Sequence, residues 1–239
     1  DRLEEEQQPH CWNRGGHGTL DVSGGIQNSC NIYFYEVGYR LGTVGDRYMT
    51  DTGLEKLTKY ADMYGLTETS GIEIEESTPQ VSDMDPVRSA IGQGTNNFTT
   101  VGLARYITTV ANSGTCYNLT LLDKLTDHSG KLIEDYTAKV RNTIDMDSSY
   151  WDAIHSGMRK VVEAKNYYSD LGINVAGKTG TAQESKSRPN HALFVCYAPY
   201  ENPEIAIAVR VANGYTSDYS AQIAKDVIKY YYHLADEEE

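Results

Sequence analysis

The last third of the chain is where the fold is most tightly constrained. Three short apolar runs, Ile173 to Ala176, Ala192 to Ala198 and Ile205 to Val211, are bounded by Gly, Pro and Asn and are too short for helices of their own. Runs that are mostly apolar, without strict alternation, belong to strands covered on both faces, so all three are expected as buried strands of one sheet. Pro199 to Pro203 is a tight connection that suits an antiparallel pair. Beyond them Ile223, Val227, Ile228, Tyr231 and Leu234 recur at helical spacing, which predicts a long closing helix with that face inward.

Upstream the period is helical. Ser23 can cap a short turn through Asn28, and Ser29 can cap a helix from Cys30 to about Leu41, with Tyr33, Phe34, Val37 and Leu41 on one face and Gly42 as the stop. Thr52-Gly53-Leu54-Glu55 reads as a capping box opening a helix that Gly65 ends. Thr99 or Thr100 starts another through Leu103, Ile107 and Val110, stopped at Asn112-Ser113-Gly114. Residues 119–136 read as a hairpin turning at Asp127 to Gly130, and Asp147 or Ser148 caps a helix bearing Trp151, Ile154, Met158 and Val161. Helices, then a late sheet, then a helix give an α/β fold of the α+β type, an antiparallel sheet flanked by helices.

With 239 residues the chain can bury one sizeable core. Its formal charge of −13 repels nucleic-acid phosphates and anionic lipid surfaces, so neither is an expected partner. No stretch has the apolar length of a membrane span. Part of the acidic excess sits at the two ends, so residues 1–10 are expected as a disordered or added start and 236–239 as an acidic tail, flanking a domain over 11–235. The four cysteines show no CxxC spacing. His10, Cys11 and His17 lie close together, but no further ligand pair at zinc-site spacing follows, so neither a metal nor a cofactor is expected. Cys30 and Cys196 sit in apolar runs and read as small buried hydrophobes. The glycines form no phosphate-binding pattern.

Two short motifs carry chemistry. Lys178-Thr179-Gly180-Thr181 follows the first expected strand, and Ser29-Cys30-Asn31 sits at a break between helical segments. A lysine at a strand end is ordinarily just solvent-facing, and a Ser-x-Asn triplet arises by accident on the order of once in a chain this long. Their chemistry is nonetheless complementary. A peptide ending in a carboxylate needs a cation and hydroxyl donors beside an open strand edge; Lys178, Thr179 and Thr181 supply them, and Gly180 lets backbone approach. A strand-like substrate then leaves a backbone N–H for an oxyanion. Ser29 can pass a proton, and the Asn31 amide can hold a substrate carbonyl and a neighbouring lysine.

The surrounding text resembles the class B penicillin-binding proteins downstream of their nucleophile. The resemblance runs through Cys11-Trp12-Asn13, His17-Gly18, Ser29 to Tyr35, Gly65-Leu66, Thr69 to Ile72, Ile91 to Gly94, Ala111 to Gly114, Ala176 to Gln183 and His191 to Pro199, in that order. It covers nearly the whole chain from Cys11 to Tyr231 and implies a penicillin-binding transpeptidase fold, shared with serine β-lactamases. It also implies DD-transpeptidase activity on the D-Ala-D-Ala end of a peptidoglycan stem peptide, inhibition by β-lactams, cell-wall synthesis partners, and a place on the extracytoplasmic face of a bacterial membrane, anchored by a segment outside this chain. By position Ser29, Asn31 and Lys178 would be catalytic, Thr179, Gly180 and Thr181 would bind substrate, and Thr181 would offer its backbone N–H to the oxyanion hole. Gly92-Gln93-Gly94 matches a turn near the cleft, or simply a turn before a helix.

The family's third motif, Ser-x-x-Lys, is missing. None of the eleven lysines has a serine three residues before it. The expectation is therefore a partial domain whose nucleophile lies upstream, inactive alone, with apolar surface exposed where that segment would pack. Cys196 stands where the resemblance leads one to expect glycine. A non-catalytic binding or sensor module of the same fold is the alternative. A serine β-lactamase fragment fits less well, for want of a hydrolytic glutamate.

Overall fold

The computed structural model describes residues 10–165, 168–183 and 187–234. The expected acidic start, apart from His10, and the expected tail lie outside these. In chain order the first half holds helices α1 (Val22–Gln27) and α2 (Asn31–Gly42), a small ribbon of β1 (Thr43–Val44) and β2 (Arg47–Tyr48), then α3 (Thr50–Met63), α4 (Pro86–Ser89) and α5 (Thr100–Ala111). The second half continues with β3 (Thr115–Asn118), β4 (Lys124–Thr126), β5 (Leu132–Asp135), β6 (Lys139–Thr143), α6 (Ser148–Glu163), β7 (Ala176–Ala182), β8 (His191–Ala198), β9 (Ile205–Val211) and α7 (Ser217–Tyr231).

The central sheet has the order β7-β8-β9 and is antiparallel throughout, with Thr179 opposite Phe194 and Phe194 opposite Val209. Strand β8 divides the core by its period of two. Phe194, Cys196 and Ala198 join Ala221, Ala224 and Ile228 of α7 on one face. Tyr197 joins Ile107 and Val110 of α5 and Met158 of α6 on the other. Phe194 is fully buried, which stabilises the fold by about 2–3 kcal/mol.

Several expected elements are where the sequence puts them. Strands β8 and β9 match, save that His191 joins β8, and α5 and α6 start from Thr99 and Asp147, whose side chains accept from Gly102 and Ser149 N–H. The hairpin forms as β4 and β5 around the Asp127–Gly130 turn, but it is shorter than residues 119–136. A pairing of β3 with β6 was not expected, because Lys139–Thr143 is too polar to read as a strand.

Other elements depart from expectation. The first sheet strand is not Ile173 to Ala176 but Ala176–Ala182, so it contains the Lys-Thr-Gly itself. The edge position explains the error, since a strand covered on one side only tolerates polar residues and glycine. Helix α7 buries Ser220, Ala221, Ala224 and Ile228, whereas Ile223, Val227 and Tyr231 are exposed. Small residues let the helix axis come close to the sheet, and the bulkier stripe is turned away. Asp21, not Ser23, caps α1 by accepting from Gly24 N–H at 2.7 Å. Ser23 is buried and donates to Ala153 O at 2.7 Å. Ser29 does not cap α2; the N-cap is Cys30, with no side-chain capping bond. Helix α3 begins at Thr50 behind Met49, so Thr52 lies inside its first turn and the expected capping box does not form.

Helices α1 and α2 carry exposed Val22, Ile32 and Val37.

Candidate functional site

The site is assembled by a relay of packed elements running outward from the sheet. Strand β7 meets α6, whose Arg159 donates to Val175 O at 3.0 Å just before the strand begins. Helix α6 in turn holds α1. A Cβ on Gly157 would sit 2.9 Å from Ile26 Cβ and 3.0 Å from Ser23 O, so only glycine allows this approach. The chain then leaves α1 through Asn28 and turns at Ser29, whose φ of 47° is left-handed. A non-glycine residue there costs roughly 1–2 kcal/mol.

That strained turn is tied down by several bonds. Ser29 N–H donates to Ile26 O at 3.2 Å and Cys30 N–H to Gly25 O at 3.1 Å. The preceding loop adds two more, from Trp12 Nε1 to Asn28 O at 3.0 Å and from Asn31 Nδ2 to His10 O at 3.3 Å.

Lys178, on β7, reaches this turn. Its Nζ donates to Ser29 Oγ at 2.5 Å and to Thr179 O at 2.9 Å. The structure therefore brings the two motifs, 149 residues apart in sequence, into direct contact. Burial, helped by the nearby Lys165 ammonium, lowers the Lys178 pKa to about 8. Lys165 itself pairs with Asp218 at 2.5 Å. A lysine this close to neutrality, bonded to a hydroxyl, can accept or release a proton through that hydroxyl at physiological pH. Lys165 escaped the sequence reading, because nothing local to its sequence marks it as a neighbour of Lys178.

The remaining expected residues are placed as follows. Thr179 and Gly180 are half-buried and Thr181 is exposed. All three lie on an edge strand, since among the described residues β7 pairs only with β8. Asn31 sits at the start of α2, and its amide donates to His10 O, not toward Lys178. At Gly180 an added Cβ would meet Leu193 Cβ at 3.3 Å, a tight but yielding contact; at Gly177 it would lie 2.5 Å from Phe194 Cζ. Packing thus demands glycine at 177 more than at 180. Gly92 and Gly94 both have positive φ and form a turn between α4 and α5.

The sequence grouped His10 with Cys11 and His17 as tempting ligands, but the structure groups Cys11 and His17 with Cys30 instead. Burial alone would raise the Cys11 thiol; N–H groups of Asn13, Asn31 and Ile32 and the Cys30 thiol outweigh it and hold the thiol below its ordinary value.

Residues 2–229 match the penicillin binding protein transpeptidase domain. The chain belongs to that family. It is 29% identical to peptidoglycan D,D-transpeptidase MrdA of Haemophilus influenzae, over 92% of this chain and 37% of that protein. It is 26% identical to penicillin-binding protein 2B of Streptococcus pneumoniae, over 93% of this chain and 37% of that one. The solved structure of Pseudomonas aeruginosa PBP2 in complex with WCK 5153 superposes with a TM-score of 0.77 at 26% identity, covering 98% of this chain and 54% of the other. For penicillin-binding protein 2B of Streptococcus pneumoniae the TM-score is 0.79 at 25% identity, covering 97% and 42%. The fold is therefore the penicillin-binding transpeptidase fold, and the chain spans just over a third of the length of these curated relatives. Among the described residues no helix is long and apolar enough to cross a membrane.

Proposed function

We propose that this chain supplies two walls of the cleft of a peptidoglycan DD-transpeptidase, a serine acyl-transferase that takes the D-Ala-D-Ala end of a stem peptide and is inhibited by β-lactams on the extracytoplasmic face of the cell membrane. The contact between Lys178 Nζ and Ser29 Oγ carries the reading. A lysine held close to neutrality against a hydroxyl is what proton transfer to and from a leaving amine requires. In this proposal Ser29 and Lys178 relay the proton, and Asn31 turns from the His10 carbonyl to hold the substrate's amide. The substrate adds as a strand along the outer edge of β7, Thr179 and Thr181 hold its carboxylate, Gly180 keeps the approach clear, and the Thr181 N–H faces the oxyanion.

The nucleophile is the serine of a Ser-x-x-Lys, which these 239 residues do not contain. The chain alone therefore forms no acyl-enzyme. Intact mass after incubation with a labelled penicillin tests this on two proteins, this chain and one extended upstream through a Ser-x-x-Lys. The extended protein gains one penicilloyl group and this chain gains none. Labelling of the chain alone, or a Lys178→Ala change in the extended protein that leaves acylation at its full rate, defeats the proposal.

A further inference from the structure

The ribbon of β4 and β5 displays its side chains unlike the rest of the fold. Every residue of the two strands is exposed, although the ribbon and the residues leading into it carry Leu121, Leu122, Leu125, Leu132 and Ile133. Leu121, Leu125, Leu132 and Ile133 are between 48% and 62% exposed. Single exposed aliphatic side chains are ordinary, whereas a cluster of them on one ribbon marks a surface that another molecule covers. A two-stranded ribbon with no covered face is also marginal in water on its own. This one is held from both ends. At its base the Glu73 carboxylate accepts from Thr120 Oγ1 at 2.6 Å and from Leu121 N–H at 2.8 Å, and Tyr136 N–H donates to Asp123 O at 2.9 Å. At its tip Asp127 Oδ1 accepts from Ser129 N–H, Ser129 Oγ and Lys131 N–H, at 2.8, 2.7 and 3.0 Å. A surface fixed in advance loses little conformational freedom on binding.

Among the described residues β4 and β5 pair only with each other, so each strand has one open edge with unpaired backbone groups. The two edges differ. Strand β4 carries Lys124, an edge lysine of the kind that blocks strand addition, and the Asp123 carboxylate lies 3.8 Å from its ammonium. Strand β5 reads Leu-Ile-Glu-Asp, with no lysine or proline to guard it. Tyr136 OH donates to Glu134 Oε2 at 2.9 Å and so fixes that carboxylate. We infer that the open edge of β5 is a docking site for an extended segment of another protein, one whose basic residues meet Glu134 and Asp135 and whose aliphatic residues meet Leu132 and Ile133. Strand addition supplies the backbone bonds, and the division of β5 into an aliphatic and an acidic half sets the direction of the incoming segment. Charge selects this occupant over two others. A second copy paired antiparallel would crowd the Glu134 and Asp135 carboxylates of both chains together and set them against leucine and isoleucine. An anionic lipid surface is repelled by the same carboxylates and by the formal charge of −13.

Backbone amide NMR on the 239-residue chain tests this with a blocked hexapeptide, Thr-Lys-Lys-Val-Val-Thr, and its charge-reversed counterpart, Thr-Glu-Glu-Val-Val-Thr. With the lysine peptide, shifts should be confined to residues 121–136, the β5 amides should exchange more slowly, and binding should weaken as salt rises. The glutamate peptide should bind at least about fivefold more weakly, and a chain carrying both Glu134→Lys and Asp135→Lys should reverse that order. Ile133→Thr keeps a β-branched side chain, and it should weaken the lysine peptide by about threefold with the circular dichroism spectrum unchanged. Equal binding of the two peptides, shifts spread over the acidic surface at large, or no binding at all overturns the inference. So does dimerisation that shifts the same residues without peptide, or binding of phosphatidylglycerol vesicles to the ribbon. Protection of the β5 amides in peptide-free protein extended upstream through a Ser-x-x-Lys also overturns it, since the edge is then covered by its own chain.

Discussion

The elements that carry Lys178 and Ser29, the two walls of the proposed cleft, are built in different ways. The Lys178 wall is a strand whose partner, β8, is packed on both faces by α7 and by α5 and α6. The Ser29 wall is a turn between a six-residue helix and a helix whose buried positions are only Gly38 and Gly42. Apolar burial holds the first. Two backbone hydrogen bonds at the turn, two loop hydrogen bonds and glycine contacts hold the second against the strain at Ser29. In the proposed proton relay, a lysine that loses its proton would gain from a rigid, dry support, whereas a hydroxyl that passes one on could stand on a weaker one.

The largest expected consequence of that contrast is in stability. Phe194→Ala, in the centre of β8, should destabilise the chain by about 3–5 kcal/mol in urea unfolding, because it removes a ring at 1% exposure and leaves a cavity. A loss under about 1 kcal/mol would show that the sheet is not the stable half.

Lys178→Met should act in the opposite direction, gaining on the order of 2 kcal/mol at pH 7, since a buried ammonium bonded to one hydroxyl and one carbonyl is a cost to the fold. The sign follows from the pKa. In the folded chain Lys178 titrates near 8 in place of its ordinary 10.5, so between these values the unfolded chain binds more protons. Stability of the unmodified chain should therefore rise from about pH 8 to 10.5 relative to Lys178→Met, and the variant's advantage should fade across that window. Paired unfolding curves at several pH values check this.

The smallest effect belongs to the other wall. Ile32→Ser, on the exposed side of α2, should change stability by less than about 0.5 kcal/mol. A larger loss would mean that this face is covered in solution.

The same contrast governs what the sequence discloses. Strands β8 and β9 and helices α5 and α6 are legible, because apolar period and cap residues such as Thr99 and Asp147 agree with one another. Strand β7 is misplaced by three residues at its start because Ala-Gly-Lys-Thr-Gly-Thr-Ala has almost no apolar signal. The α1 cap goes to the wrong residue because Asp21 and Ser23 can both cap and only tertiary packing, through Ala153, takes Ser23 away. At the site, Ser29 and Lys178 are legible as motifs, and their contact is not a local property of either. Lys165, whose charge bears on Lys178, and Cys30, which joins Cys11 and His17, become visible only when segments far apart in sequence are folded together.

The most direct test of the proposed cleft is the titration of Lys178 followed by NMR on lysine-labelled protein, with and without Ser29→Ala. The account predicts a midpoint near 8, shifted lower when the Ser29 hydroxyl that accepts from the ammonium is removed. An ordinary lysine titration near 10.5 that ignores residue 29 would contradict it.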